Sequence, residues 1–226
     1  MSNVIHLWAI FLGTFMGLLP IINPLAAAPT FLAITEGDSD ARRREQARKG
    51  CFYMICILVS ALTGGTFIMN FFGISIPGLR IAGGILMAGI GMGMLTNQQK
   101  LGKPDEEERE AARKKTDISF SPLAMPMLSG PGSIAVTLGF TSLATHWTDY
   151  LAIIAGIISI AALTYAMLRV SGKIVAIIGP VGVNAMTKIM GFLIMCIGVQ
   201  FVVNGVLGIA TDPELLRSIK EVLAAH

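Results

Sequence analysis

The chain has 226 residues, of which 54% are apolar and 14% charged, against about 25% charged in an ordinary soluble domain. Its net charge of +3, from 17 Lys and Arg against 14 Asp and Glu, is small, and no charge falls in six stretches: residues 5–35, 50–79, 81–99, 118–148, 150–168 and 189–211. About 18 consecutive apolar residues already suffice for a membrane span, so this pattern excludes a secreted enzyme, a nucleic-acid-binding domain and a disordered linker. It predicts one all-α integral membrane domain, residues 1–226, with six transmembrane helices.

Taken in chain order, the first run lacks the basic flank of a secretory leader, because the first Lys or Arg is Arg42; it is read as a retained span. As one straight helix its 31 residues would reach about 46 Å, against a hydrocarbon core of about 30 Å. Pro20, Pro24 and Pro29 interrupt it, and Asn23 before Pro24 has the form of an N-cap followed by the first helical position. Residues 36–50 then form a basic loop. Span two carries Cys51 and Cys56, which with Cys196 are read as small buried hydrophobes: the odd count and the absence of a CxxC argue against a disulfide framework. Span three pairs small residues, Gly89 with Gly93 and Gly84 with Ala88, on faces that let backbones approach. Residues 97–117 read as a solvated linker between halves.

Span four repeats the features of span one. It is again 31 residues long and is broken by Pro122, Pro126 and Pro131. Ser121-Pro122 has the same form as Asn23-Pro24, and Ser129-Gly130-Pro131-Gly132-Ser133 offers a further helix start. Phe71, Phe72, Trp147 and Tyr150 fall where interfacial anchors are expected. In span six Gly191, Gly198 and Gly205 recur every seven residues along one helix face, while Gln200 and Asn204 are read as interhelical hydrogen-bonding groups. A tail follows, residues 211–226.

Basic residues are biased to one side. Arg42, Arg43, Arg44, Arg48 and Lys49, then Lys100, Lys103, Arg109, Arg113, Lys114 and Lys115, then Arg169, Lys173 and Lys188 lie on one face of this six-span chain, against Arg80, Arg217 and Lys220 on the other. The positive-inside rule makes the first face cytoplasmic and both termini periplasmic. The halves, residues 5–96 and 118–210, also echo each other. Asn23-Pro24-Leu25-Ala26 recurs as Ser121-Pro122-Leu123-Ala124, and Arg80-Ile81-Ala82-Gly83 as Lys188-Ile189-Met190-Gly191 at the start of span six. Three spans per half is odd, so the second half enters from the opposite face: two inverted repeats, with spans one and four interrupted, as in many secondary transporters.

Broken helices supply chemistry without ionised side chains. A helix start offers unpaired N–H groups and about half a positive charge, which suits a carboxylate; the freed carbonyls suit an ammonium group or Na+. No Asp or Glu lies within a predicted span, which disfavours a proton pump or cation channel and favours a neutral or zwitterionic solute. The expected substrate-binding residues are Asn23, Pro24, Ser121, Ser129, Gly130, Gly132 and Ser133. No HExxH, GxSxG or GxxxxGK[ST] is present, so neither an enzyme nor an ATPase is expected, and no cofactor or metal. The expected partners are a small zwitterionic solute and the lipid bilayer, with the coupling ion and any homo-oligomer left open.

Several strings are specific enough to name a family. Phe72-Gly73-Ile74-Ser75-Ile76-Pro77-Gly78-Leu79-Arg80-Ile81-Ala82-Gly83-Gly84, Pro122-Leu123-Ala124-Met125-Pro126 with Ser129-Gly130-Pro131-Gly132, and Met190-Gly191-Phe192-Leu193 through Gly198-Val199-Gln200-Phe201 closely resemble the MarC family of bacterial inner-membrane proteins. Ile22-Asn23-Pro24-Leu25 fits that family's first-span motif, although Leu25 stands where many relatives carry glycine. The resemblance covers about residues 5–210. It implies a six-span, inner-membrane secondary transporter of small neutral amino acids such as glycine and alanine, the class moved by SnatA-type members. The alternatives are a non-transporting membrane scaffold or complex subunit, and an exporter of larger or drug-like solutes.

Overall fold

A computed structural model describes residues 2–96, 117–141, 144 and 146–212. The expected linker and tail therefore lie almost wholly outside the described residues. The described residues form eight helices joined by short turns: α1 Ser2–Ile22, α2 Pro24–Ile34, α3 Asp40–Phe72, α4 Ile76–Thr96, α5 Ser119–Leu128, α6 Pro131–Thr141, α7 Trp147–Arg169 and α8 Ser171–Ala210. Five helices are long and apolar enough to cross a bilayer, and α5 with α6, bent by 63° at a short break, reach that length and apolarity together. The outer surface carries apolar side chains such as Trp8, Phe67, Phe71 and Ile85 in the open. A water-facing surface of that kind would aggregate; lipid accommodates it.

Contacts along α3 show how the bent pair travels. A Cβ on Gly50 would strike Leu123, and one on Gly65 would strike Leu138. Fifteen residues of α3 therefore run alongside fifteen of α5–α6 in the same direction, which is about 22 Å of helix. The pair crosses as one span, and its break at Ser129–Gly130 falls roughly halfway along α3. α1 runs parallel to α7: His6 Nε2 stands 3.4 Å from Asp149 Oδ1, and a Cβ on Gly156 would come within 2.8 Å of Thr14.

α4 and α8 are antiparallel and touch backbone to backbone. A Cβ on Gly84 would lie 2.5 Å from the Gly198 carbonyl oxygen, one on Gly91 2.5 Å from that of Gly191, and one on Gly205 2.8 Å from that of Pro77. The seven-residue glycine spacing of span six thus meets an equal spacing in span three. Gly89 and Gly93 have no neighbour within 4 Å of an added Cβ, so the seam between these helices uses Gly84 and Gly91 instead.

Other expectations need correction. The basic loop of residues 36–50 is mostly helix: Ser39 caps α3 by accepting from the Arg42 N–H, and the arginines ride on its first turns. Lys188 does not start span six. α8 is kinked at Gly179 (φ 69°, ψ 170°), its membrane-crossing part is Val181–Ala210, and Lys188 sits two turns in. Gln200 Nε2 donates to Asn204 Oδ1 at 2.9 Å within its own helix, so the pair bridges no helices. Only Cys51 is buried; Cys56 and Cys196 are exposed on apolar helix surface, where a thiol suits lipid as well as a protein core. The carboxylates are not all outside the spans. Asp149 is 1% exposed in the first turn of α7, and its Oδ2 accepts from the His146 N–H at 2.9 Å, tying down that helix start.

α5 begins from a well-anchored point. Asp117 accepts from the Ser119 hydroxyl and, at 2.9 Å, from the Ser119 backbone N–H. Those bonds, helped by Lys49 at 3.5 Å, hold the Asp117 carboxyl below the usual carboxylate range.

Candidate functional site

Both expected interruptions are present, and they differ. Between α1 and α2 a single residue breaks the helix: Asn23 takes φ 40°, ψ 70° in the left-handed region, which asparagine enters more readily than other side-chain-bearing residues. The Asn23 N–H still donates to the Leu19 carbonyl at 3.0 Å, and the Ala27 N–H to the Asn23 carbonyl at 3.0 Å. Asn23 Oδ1 accepts from the Ala26 N–H at 3.3 Å, so Asn23 caps α2 with Pro24 in the first turn. Pro24 has no N–H to give, which leaves the Pro20 carbonyl without its helical donor.

α5 is wound more widely. The Leu123 N–H reaches the Ile118 carbonyl at 3.1 Å and the Ser129 N–H the Ala124 carbonyl at 2.8 Å, each five residues back. Ser121 (φ −133°, ψ 123°) and Met125 (φ −130°, ψ 125°) are extended, and the peptide bonds to Pro122 and Pro126 are cis. Ser121, expected to start a half-helix as Asn23 does, has the extended backbone that an N-cap residue takes. α5 starts at Ser119, and its cap position is Ile118 with no side-chain bond. The helix start in this half is at Gly130-Pro131, where the Gly130 carbonyl accepts from the Ile134 N–H at 3.2 Å. Ser133 Oγ spans the break by donating to the Leu128 carbonyl at 3.3 Å.

The fold brings these two starts together. Gly17 lies against Phe140 and Val136, and a Cβ on Gly132 would meet Ile21 at 3.3 Å and Ile90 at 3.1 Å. This antiparallel register of α1 on α6, carried two residues on, sets Asn23 level with Ser129 and Gly130. α2 and α6 then begin near the same depth and run apart. Asn23, Pro24, Ser129, Gly130, Gly132 and Ser133 belong to this junction; Ser121 lies two turns before it in α5.

Two side-chain polar atoms among the described residues are buried without a hydrogen-bond partner: Asn23 Nδ2 and Ser129 Oγ. Asn23 is 5% exposed and Ser129 0%. The cap bond to Oδ1 fixes which end of the Asn23 amide is the nitrogen. An unpaired buried donor costs about 1–3 kcal/mol, and such groups concentrate where a ligand satisfies them. By contrast Thr14, Thr137 and Thr164 each donate to the carbonyl four residues back at 2.8–2.9 Å.

A cavity of about 470 Å³ adjoins the second break, walled by α4 residues including Ala82, Gly83 and Leu86 and by Met125, Ser129 and Ile134 of the α5–α6 stretch. Ser129 is the one polar residue along its wall, and its fully buried hydroxyl gives the cavity no polar surface. Sequence reasoning missed the α4 contribution, because nothing in an apolar helix marks the face that borders a cavity. No group of three or more potential metal ligands occurs among the described residues.

Comparison with known proteins agrees with the family strings. Residues 8–210 match the MarC family of integral membrane proteins. The inner membrane protein MarC of Salmonella paratyphi A is 40% identical over 211 residues, which is 89% of this chain and 95% of that one. The Citrobacter koseri protein of the same name is 38% identical with the same coverage, and that of Escherichia coli O1:K1 is 39% identical over 214 residues, again 89% and 95%. No solved structure matches. With its membrane-length apolar helices and relatives named as inner-membrane proteins, the chain is a multi-pass inner-membrane protein and belongs to the MarC family.

Proposed function

We propose that this chain is a secondary transporter carrying a small neutral amino acid across the inner membrane by alternating access of two inverted halves. The observation that carries the reading is the pair of unsatisfied buried groups, one at each break. Asn23 Nδ2 is a donor, and the starts of α2 and α6 add N–H groups and partial positive charge, together a receptor for a carboxylate. Ser129 Oγ and carbonyls freed by proline accept from an ammonium group. Such a site holds both ends of a zwitterion and leaves no net charge to bury.

The helix packing supports the inverted-repeat reading. Exchanging α1 with α5, α2 with α6, α3 with α7 and α4 with α8 turns the α1–α7 contact into α5–α3, α2–α8 into α6–α4 and α2–α7 into α6–α3, and returns α3–α7 and α4–α8 to themselves; all of these pairs pack. A rocking motion of one half against the other is the expected route of access. The apolar cavity beside Ser129 gives a specific reason to keep a second reading, an exporter of larger apolar solutes, because about 470 Å³ exceeds what alanine needs.

The test is uptake of labelled glycine and alanine into proteoliposomes. Wild-type flux should exceed that of protein-free vesicles. Asn23→Asp keeps the capping oxygen but replaces the free donor with a charge that repels a carboxylate, and should lower flux at least tenfold. Gly130→Leu should do the same, since a Cβ there already meets the Pro126 carbonyl oxygen at 2.9 Å. Undiminished flux in both variants would remove the site. Absence of amino-acid flux together with flux of apolar drugs would favour the second reading.

A further inference from the structure

At the end of the molecule opposite His6 and Asp149, the first turns of α3 and the joint between α7 and α8 enclose a cleft of about 410 Å³. Asp40, Arg43, Arg44, Arg169, Ser171 and Lys173 are in its wall. Three nearby carboxylates are already engaged. Asp38 pairs with Arg42 at 3.2 Å, Asp40 stands 3.8 Å from Arg43, and Glu45 pairs with Lys49 at 2.8 Å. Arg43 is further fixed by donating from Nε to Thr35 Oγ1 at 3.0 Å and from Nη2 to the Thr35 carbonyl at 3.2 Å. Arg44, Arg169 and Lys173 have no anionic partner among the described residues, and all three side chains are exposed. Three cations around one concavity, none of them paired among the described residues, with the fixed Arg43 beside them, suit a phosphate-sized anion.

The surroundings say which phosphate. Residues 171–178 are set off from the rest of α8 by the Gly179 kink, and Ile177 on this segment is 85% exposed, with Val170 and Val181 also in the open. Apolar side chains need hydrocarbon and the adjacent cations need phosphate, which places the segment at a headgroup boundary. A phospholipid supplies both in one molecule; free phosphate supplies only one. We propose that this cleft binds the headgroup of an anionic phospholipid of the leaflet it faces, with Arg44, Arg169 and Lys173 on the phosphate and the 171–178 segment against the acyl chains.

The experiment uses the full chain in a neutral maltoside detergent. It is titrated with phosphatidylglycerol, cardiolipin, phosphatidylcholine or inorganic phosphate, and read by native mass spectrometry and by thermal melting. The anionic lipids should be retained and should raise the melting temperature, while phosphatidylcholine and inorganic phosphate should not. R44Q/R169Q/K173Q should weaken anionic-lipid binding at least tenfold while melting like wild type without lipid, because those exposed side chains make no ion pair among the described residues. Arg48→Gln, an exposed arginine outside the cleft, should bind as wild type. The assignment is overturned if the triple variant retains anionic lipid, if Arg48→Gln loses it equally, or if inorganic phosphate stabilises as well as lipid does.

Discussion

Gln46 is buried in α3, and its Oε1 accepts from the Ile118 N–H at 3.2 Å, 72 residues on. One side chain thereby satisfies the backbone where the broken span begins. Replacing it with leucine would leave that N–H unpaired beside apolar neighbours, a cost of about 1–3 kcal/mol, and Gln46→Leu should melt at a lower temperature than wild type in detergent. Gln46→Glu keeps the acceptor and should lie between the two. Equal melting of all three would show that water replaces the bond. This contact was not legible in the sequence, since a glutamine among arginines reads as one more solvated residue. Asn23 was legible, because Asn-Pro is a helix start written in two residues; its unpaired amide nitrogen was not, because satisfaction depends on what surrounds the group. Ser121-Pro122 shows the limit of such local signals. It shares the form of Asn23-Pro24, yet the chain around it is wound with bonds five residues back and is extended again at Met125, where Asn23 breaks its helix at one residue.

Between elements, the contact that most depends on composition is the seam of α4 on α8. In lipid no hydrophobic force draws two apolar helices together, so close packing and small residues must do it. A methyl group at Gly84 would sit 2.5 Å from the Gly198 carbonyl oxygen and 2.8 Å from a Val202 methyl, while one at Gly89 meets nothing within 4 Å. Gly84→Ala should therefore destabilise by about 1–3 kcal/mol, the usual cost of overpacking, and Gly89→Ala should match wild type or exceed it slightly through helix propensity. Thermal melting of the two variants side by side checks this. If Gly89→Ala proved the damaging one, the seam would lie on the other face of α4. The sequence shows that both helices carry small-residue faces, and the spacing of Gly191, Gly198 and Gly205 marks the correct stripe. It does not distinguish Gly84 and Gly91 from Gly89 and Gly93, because spacing alone does not say which face meets protein and which meets lipid.

At the scale of the whole molecule, helix directions divide the chain into two ends. α1 runs with α7, α3 with α5–α6, and α4 against α8, so Ile74 and His146 lie at one end and Glu36, Asp117 and Ser171 at the other. This even-span arrangement was legible as soon as the charge-free runs were counted, because bilayer thickness fixes how long each must be. The packing order was not, since apolar surface is equally at home against lipid and against another helix. Arg42, Arg43, Arg44, Arg48, Lys49, Arg169 and Lys173 gather at the second end, with Arg80 the basic residue nearest the first among those described. The positive-inside rule predicts that the second end is cytoplasmic. α3 is the place to test it, because its 33 residues form one helix from Asp40 to Phe72, about 50 Å long, and its flanking turns lie at opposite ends of the molecule. With the three native cysteines replaced by alanine, Ile74→Cys should react with a membrane-impermeant maleimide in intact cells. Glu36→Cys, in the exposed turn before α3, should react only after permeabilisation. The reverse pattern would turn the molecule over, and with it the leaflet whose lipids the basic cleft faces.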